Sequence, residues 1–496
     1  MSTIVVVPIL VPLCAAIAGL LAAGRSALQR ALSVAGAAAQ LAVGVALLHT
    51  VHTRGIQVQQ LGHWPAPFGI TIVADLFSAI MVTLSGLVGL CVSLFALVDI
   101  GPERERFAFH PLLHFLLMGV AGAFLTGDLF NLFVWFELII MTSFVLLALG
   151  GERPQIEGAV KYLTLNFIAS GLFLTALGIL YGQFGTLNMA DLAIRLDSQP
   201  SGVGLSSAML MLVAFGIKAG VFPLFFWLPD SYHTPPAAVT ALFAGLLTKV
   251  GVYAMIRVLT LVFTADLLVL APLIVTASLL TMVTGVLGAA AQSDIRRLLA
   301  FHIISQIGYM TLGLGLRTEA ALAASVFYIV HNVIAKTNLF FVAGAIRHIR
   351  GTSELRELGG LYRDEPRLAA LFLIPALALA GIPPLSGFIA KFTLVKAALT
   401  ADAFLPAAVA LGVGMLTLYS MTKIWAEAFW KAAPADADGG TRAPVPIVML
   451  LPIIALTTLT VLLGVLPGTL LDLASGAAMQ LLDRRQYLDA VLGTAR

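Results

Sequence analysis

The chain has 496 residues, 60% of them hydrophobic and only 11% charged, with a formal net charge of +3 and a mean hydropathy of +1.00. Soluble domains carry about 25% charged residues, so too few polar side chains remain to cover a water-facing surface of this size. An ordinary soluble enzyme, a disordered chain and a nucleic-acid binder are excluded.

Apolar runs long enough to cross the roughly 30 Å hydrocarbon core as helices recur from end to end. In chain order they predict about fourteen transmembrane helices, with cores at 3–23, 31–50, 73–98, 109–125, 128–149, 157–182, 204–227, 236–257, 266–290, 296–316, 320–345, 367–399, 403–428 and 446–473. The first run, MSTIVVVPILVPLCAAIAGLLAAG, has no positive leading segment and reads as a retained span rather than a cleaved signal peptide. Backbone groups in lipid must be satisfied internally, and the runs are too continuous for barrel strands. The expectation is an all-α polytopic membrane protein with one transmembrane domain over 1–496 and no soluble appendage.

Lys and Arg in short loops orient such a chain. With the N-terminus outside, the inner loops carry fourteen: Arg25, Arg30, Arg104, Arg106, Arg153, Arg296, Arg297, Arg347, Arg350, Arg356, Arg363, Arg367, Lys431 and Arg442. The outer loops carry four, Arg54, Arg195, Arg257 and Arg317, and the tail adds three, Arg484, Arg485 and Arg496. At fourteen against seven, both termini are expected on the extracytoplasmic side.

A short repeat runs from Ala219-Gly220-Val221-Phe222-Pro223-Leu224 to Ala380-Gly381-Ile382-Pro383-Pro384-Leu385, an offset of 161 residues (380 less 219). Pro223, Pro383 and Pro384 sit mid-span, where proline removes a helical donor and clashes with the preceding turn. Broken helices at matching places in two halves point to a transport site. Ordinary proline kinks in long helices are the simpler alternative.

The basic residues divide by type. The 20 Arg fall in loops or near helix ends, Arg257 being the nearest to an exception, whereas Lys218, Lys249, Lys336 and Lys391 lie deep within apolar spans. Lysine gives up its proton when desolvated and arginine does not. A cation at a helix centre costs roughly 2.5–3.5 kcal/mol, so four represent on the order of 10 kcal/mol. Glu137 sits mid-span with no charged neighbour on its own helix, and Lys218 is its expected counter-ion. Such a pair couples two titrations. His331 and Lys336 share a span at five-residue spacing, about 140° apart on a regular helix; a π turn between them would bring both onto one face. In sequence order Glu137, Lys218, Lys249, His331, Lys336 and Lys391 form a mid-membrane row suited to proton transfer, with snorkelling, helix-locking ion pairs and a core histidine as structural alternatives. His302 and Ser305 suit an entry path. Asp128 is a weaker entry candidate, because it and Asp75 begin spans and fit helix N-caps. With no P-loop, dinucleotide turn or cysteine cluster, the chain is expected to carry no cofactor and to be no enzyme; whether it holds a metal ion is left open.

The segments FNLFVWFELIIMTSFVLLALG, FGIKAGVFPLFFWLPDSYHTPPAAVTALFAGLLTKVGVY, RRLLAFHIISQIGYM and AGIPPLSGFIAKF resemble the antiporter-like subunits shared by respiratory complex I, membrane-bound hydrogenases and Mrp-type Na+/H+ antiporters. The likeness covers nearly the whole chain, and GTLNMADLA and FNLFVWFE are most similar to the D-type Mrp members. It implies two inverted five-helix repeats, spans 4–8 over about 109–257 and spans 9–13 over about 266–428, each with a broken helix. The flanking spans are then 3–98 and 446–473. It also implies a Glu137–Lys218 pair, a central Lys249, a His331/Lys336 link and a terminal Lys391; some complex I members carry Glu at that last position.

The function so implied is proton translocation within a multisubunit Na+/H+ antiporter of a bacterial plasma membrane, with A-, B-, C-, E-, F- and G-type membrane subunits as partners. Proton entry down its gradient would drive Na+ efflux, with Na+ crossing at another subunit or an interface. The alternative is a pumping subunit of complex I or a hydrogenase. A scaffold that only docks partners is the non-transporting rival.

Overall fold

Because lipid offers no hydrogen bonds, each apolar run closes its own backbone ladder as a helix. The computed structural model describes residues 3–198, 202–433 and 444–493; Arg442 and Arg496, counted in the charge balance, lie outside the described residues. Among the described residues eleven helices are long and apolar enough to cross a bilayer, and three shorter apolar helices accompany them, Val7–Leu21, Phe109–Leu125 and Pro366–Ala380.

The helices are unequally shielded. The most apolar stretches of Ala237–Leu261 and Glu319–Arg350 are 100% buried within the protein and that of Ile295–Leu316 is 94% buried, against 28% for Ser26–Arg54. These three central helices carry Lys249, His302, Ser305, His331 and Lys336, so polar side chains ride where neighbouring helices replace lipid.

Both proline-marked spans are broken. Gly202–Ala219 ends at Gly220 (φ 82°) and resumes as the short Trp227–Ser231 helix, while Pro366–Ala380 ends at Gly381 (φ 95°) and resumes as Ser386–Thr400. The two ends close alike: Val221 N donates to Gly216 O and Gly220 N to Ile217 O, as Ile382 N donates to Leu377 O and Gly381 N to Ala378 O. This is the six-to-one and five-to-two pattern of a Schellman cap, which needs the left-handed residue that glycine supplies without strain. A second correspondence lies at the helix starts. Asp128 pairs with Asn188 and Asp294 with Glu354 in isolated antiparallel bridges, both offset by 166 residues (294 less 128, 354 less 188).

Three expectations require correction. The chain is not wholly helical: Gln57–Gln60 and Thr71–Ala74 form an antiparallel hairpin within the region assigned to flanking spans, where polar, β-capable residues follow the glycine at position 55. Arg257, counted with the outer loops, is instead a buried side chain within Thr248–Leu261, which makes it the exception among the arginines that its place in the sequence suggested. The last span does not run unbroken over 446–473. Ile447–Val465 stops before Pro467, Leu466 leaves the helical region (φ −122°, ψ 61°), and Gly468–Leu482 and Arg484–Leu492 follow. Proline's missing N–H and its clash with the preceding turn explain the break.

The terminal helices anchor one end of the bundle. Gln480 Oε1 accepts from Leu76 N at 2.9 Å, Gln60 Nε2 donates to Val491 O at 3.4 Å, and Arg484 pairs with Asp197. At the other end Lys161 and Arg297 both meet Asp230, at 2.9 and 3.2 Å.

Candidate functional site

Lys218 lies in the last turn of Gly202–Ala219, directly before the first break. Its Nζ donates to Ser170 Oγ at 3.3 Å and lies 4.6 Å from the centre of the Phe136 ring. Glu137 is the next residue on that neighbouring helix, and its Oε1 is buried with no hydrogen-bond partner in the protein. The expected direct Glu137–Lys218 ion pair is not formed among the described residues; the hydroxyl of Ser170 and the ring of Phe136 occupy the ammonium group instead. Lys218 does lie within range of the Glu137 charge. A cavity beside it, lined by Tyr162, Asn166, Lys218 and Trp227 among others, has about 20 Å³ of room for a water's centre, enough for one molecule.

Lys249 is fully buried two residues past the end of a π segment, Phe243–Leu247. A π turn displaces carbonyls from the regular ladder, and Lys249 Nζ donates to one of them, Ala244 O, at 2.5 Å. Two residues on, Gly251 presses against the first broken helix. A Cβ there would fall 3.0 Å from the carbonyl carbon of Lys218. The absence of a side chain at Gly251 therefore sets how closely the Lys249 and Lys218 helices approach.

The π turn anticipated between His331 and Lys336 is absent; Glu319–Arg350 is regular throughout. On a regular helix five residues turn about 140° past a full circle, so the two side chains face different partners. His331 Nδ1 meets Ser386 Oγ at 2.8 Å, at the start of the second half-helix, while Lys336 Nζ donates to Leu299 O at 3.2 Å.

The helices that carry these groups also carry buried polar atoms without partners in the protein. They include both ring nitrogens of His302, Ser305 Oγ, Gln306 Nε2, both amide atoms of Asn332, His331 Nε2, Thr248 Oγ1 and Thr337 Oγ1. Buried polar groups in proteins are nearly always paired, with protein or with ordered water. These exceptions fall on the three most shielded helices, where a polar atom needs a partner that lipid does not supply.

Lys391 closes the row. Its Nζ donates to Leu379 O and Ala380 O at 2.9 Å each, the carbonyls that the second break leaves without helical donors. It lies 5.2 Å from the Tyr309 ring centre. It also borders a groove of about 280 Å³ between the broken helix and Phe404–Ile424, so this end of the row opens sideways from the bundle.

Asp128 is not brought to the unpartnered polar atoms. Its side chain caps Leu129–Ala148, accepting from Asn131 N at 2.8 Å, at the hairpin end, whereas His302 lies two turns in from the opposite end of its helix. Asp75 likewise caps Leu76–Asp99 and pairs with Arg257 at 2.5 Å. Sequence reasoning missed Ser170, Thr248, Asn332, Thr337 and Ser386. The available signal was weak, since a hydroxyl or amide inside an apolar run usually bonds its own helix.

The fold is that of a polytopic membrane protein with titratable groups buried in a shielded helical core and two broken helices. Residues 126–426 match the family model described as NADH:quinone oxidoreductase/Mrp antiporter, transmembrane. The chain is 46% identical over 496 residues to the D-type subunit of the Na(+)/H(+) antiporter of Alkalihalophilus pseudofirmus, covering 99% of this chain and 100% of that protein. It is 38% identical, with the same coverages, to the D-type subunit of the Bacillus subtilis Na(+)/H(+) antiporter. A chain in the structure of the Mrp complex from Dietzia sp. DQ12-45-1b superposes with a TM-score of 0.92 at 32% identity, over 99% of this chain and 100% of that one. The chain belongs to the NADH:quinone oxidoreductase/Mrp antiporter family.

Proposed function

We propose that this chain is the D-type, proton-translocating subunit of a multisubunit Na+/H+ antiporter in a bacterial plasma membrane. It assembles there with A-, B-, C-, E-, F- and G-type subunits. The chain forms one transmembrane domain of fourteen spans, the eleven longer helices and the three shorter apolar ones, with each broken helix counted once. Two inverted five-helix repeats, over about 109–257 and 266–428, supply the broken helices; the paired Schellman caps and the paired Asp bridges support that reading. The hairpin and both termini face the extracytoplasmic side, which leaves the arginine-rich loops inside.

Protons enter past His302 and Ser305 and move along Glu137, Lys218, Lys249, His331, Lys336 and Lys391, with waters between them. Because Lys218 bonds a neutral hydroxyl rather than Glu137, protonating Glu137 changes only a through-space attraction. That leaves the lysine free to respond without breaking a contact. The observation that carries the proposal is the set of unpartnered buried polar atoms on the shielded helices that carry Lys249, His302, His331 and Lys336. Inward proton flow through this row drives Na+ efflux in the assembled complex.

The shared family description also covers redox-driven proton pumps, and one experiment separates the two. Inside-out vesicles carrying the whole complex are acidified by respiration, and a pH-sensitive dye is read as NaCl is added, for native protein and Glu137→Gln at matched abundance. Collapse of the gradient by Na+ only with native Glu137 supports the antiporter. Indifference to Na+, with NADH-driven acidification that itself depends on Glu137, assigns a redox pump.

A further inference from the structure

Thr337 follows Lys336 on one of the two most shielded helices among the described residues and is fully buried. Buried helical threonines in this chain ordinarily return their hydroxyl to a carbonyl four residues back: Thr417 to Val413 O and Thr460 to Leu456 O, both at 2.8 Å. Thr337 does not, and its Oγ1 has no partner in the protein. The hydroxyl points across to the π segment, into the space where Gly245 would carry a Cβ. Gly245 Cα is bonded to the peptide whose carbonyl, Ala244 O, accepts from Lys249 Nζ. Thr337 Oγ1 therefore lies against the Ala244–Gly245 peptide to which the Lys249 ammonium donates, on the residue that follows Lys336.

We infer that the Thr337 hydroxyl is a station of the proton path between Lys249 and Lys336, admitted to that place by the missing side chain of Gly245. The inference rests on the proton-relay reading above and extends it to a residue outside the charged row. A hydroxyl both donates and accepts. It takes a proton on Oγ1 from the Lys249 side as it releases its own to a water on the Lys336 side, so its charge is unchanged after each transfer.

The test compares Thr337→Val, Thr337→Ser and Lys249→Ala in the full complex, scored for assembly by co-purification and for Na+-driven collapse of the pH gradient. Valine preserves the shape and removes the hydroxyl; serine keeps the hydroxyl and loses the methyl. The expected result is a maximal rate about fivefold lower for Thr337→Val, with unchanged half-saturation for Na+, as loss of one hydrogen bond in the transfer step would give. Thr337→Ser stays near native. A packing role predicts the reverse order, so native transport by Thr337→Val, or a serine variant slower than the valine one, overturns the inference. If Thr337→Val is native while Lys249→Ala is inactive, the relay stands without this station. If Lys249→Ala also transports normally, the relay itself is wrong and the inference falls with it.

Discussion

Gly251→Ala tests whether the spacing between the Lys218 and Lys249 helices matters to transport. An alanine Cβ would fall 2.7 Å from Ala219 N and 3.0 Å from Ala219 Cα, where ordinary contact begins at 3.4 Å. Both neighbours are backbone atoms, so the end of the first half-helix must retreat by about 0.7 Å (3.4 less 2.7). Overpacking of this kind costs about 1–3 kcal/mol, and the helix propensity gained by replacing glycine returns about 1 kcal/mol. The net penalty, about 0–2 kcal/mol, leaves the complex assembled. A displacement approaching 1 Å in a positioned pair slows transfer by up to about 100-fold, so the Na+-driven rate should fall by about ten- to a hundredfold. Gly178→Ala is the control, since a Cβ there meets nothing within 4 Å and only the propensity gain applies. Equal rates for the two variants, at equal abundance, would refute the reasoning.

Three further outcomes follow from contacts elsewhere. Asp75→Asn strands Arg257, which is 3% exposed and paired with it at 2.5 Å; heat-induced loss of the assembled complex should report a destabilisation of about 3–5 kcal/mol, largely relieved by the double change Asp75→Leu with Arg257→Met. Ser386→Ala removes the only hydrogen-bond partner of His331 Nδ1 found among the described residues, and about 1 kcal/mol lost in the transfer step predicts a rate about fivefold lower. Glu105, on the short helix Pro102–Arg106 before Phe109–Leu125, is pushed up by burial, but Arg30, at 2.7 and 3.0 Å, and His110, at 3.3 Å, together hold its carboxyl below the ordinary value of 4.5. A depressed folded value contributes stability that is present above the unfolded value and is lost as pH falls through the folded one. Thermal stability should therefore drop below about pH 4.5 in the native complex, and Glu105→Gln should flatten that limb.

Much of the architecture was legible in residue order because its causes are local. Length and hydropathy set the spans, and Phe109–Leu125 coincides with the apolar run read from sequence. Proline and glycine mark the two breaks, since Gly220 and Gly381 supply the left-handed residue and Pro223, Pro383 and Pro384 lack the donor. The expense of a buried cation singled out Lys218, Lys249, Lys336 and Lys391, all buried in the structure. The hairpin was less legible, because a polar stretch between two spans reads as a loop until its strands pair.

Residue order alone dictates which groups enter the membrane interior and where the helices break. What those groups touch emerges only on packing. Lys218 turns to Ser170 and Phe136 instead of Glu137, the π turn lies ahead of Lys249 instead of between His331 and Lys336, and Thr337 faces Gly245 on another helix. Burial cost and backbone propensity belong to single residues and their immediate neighbours. The choice of a hydrogen-bond partner is a competition among side chains far apart in sequence, and helix packing settles it.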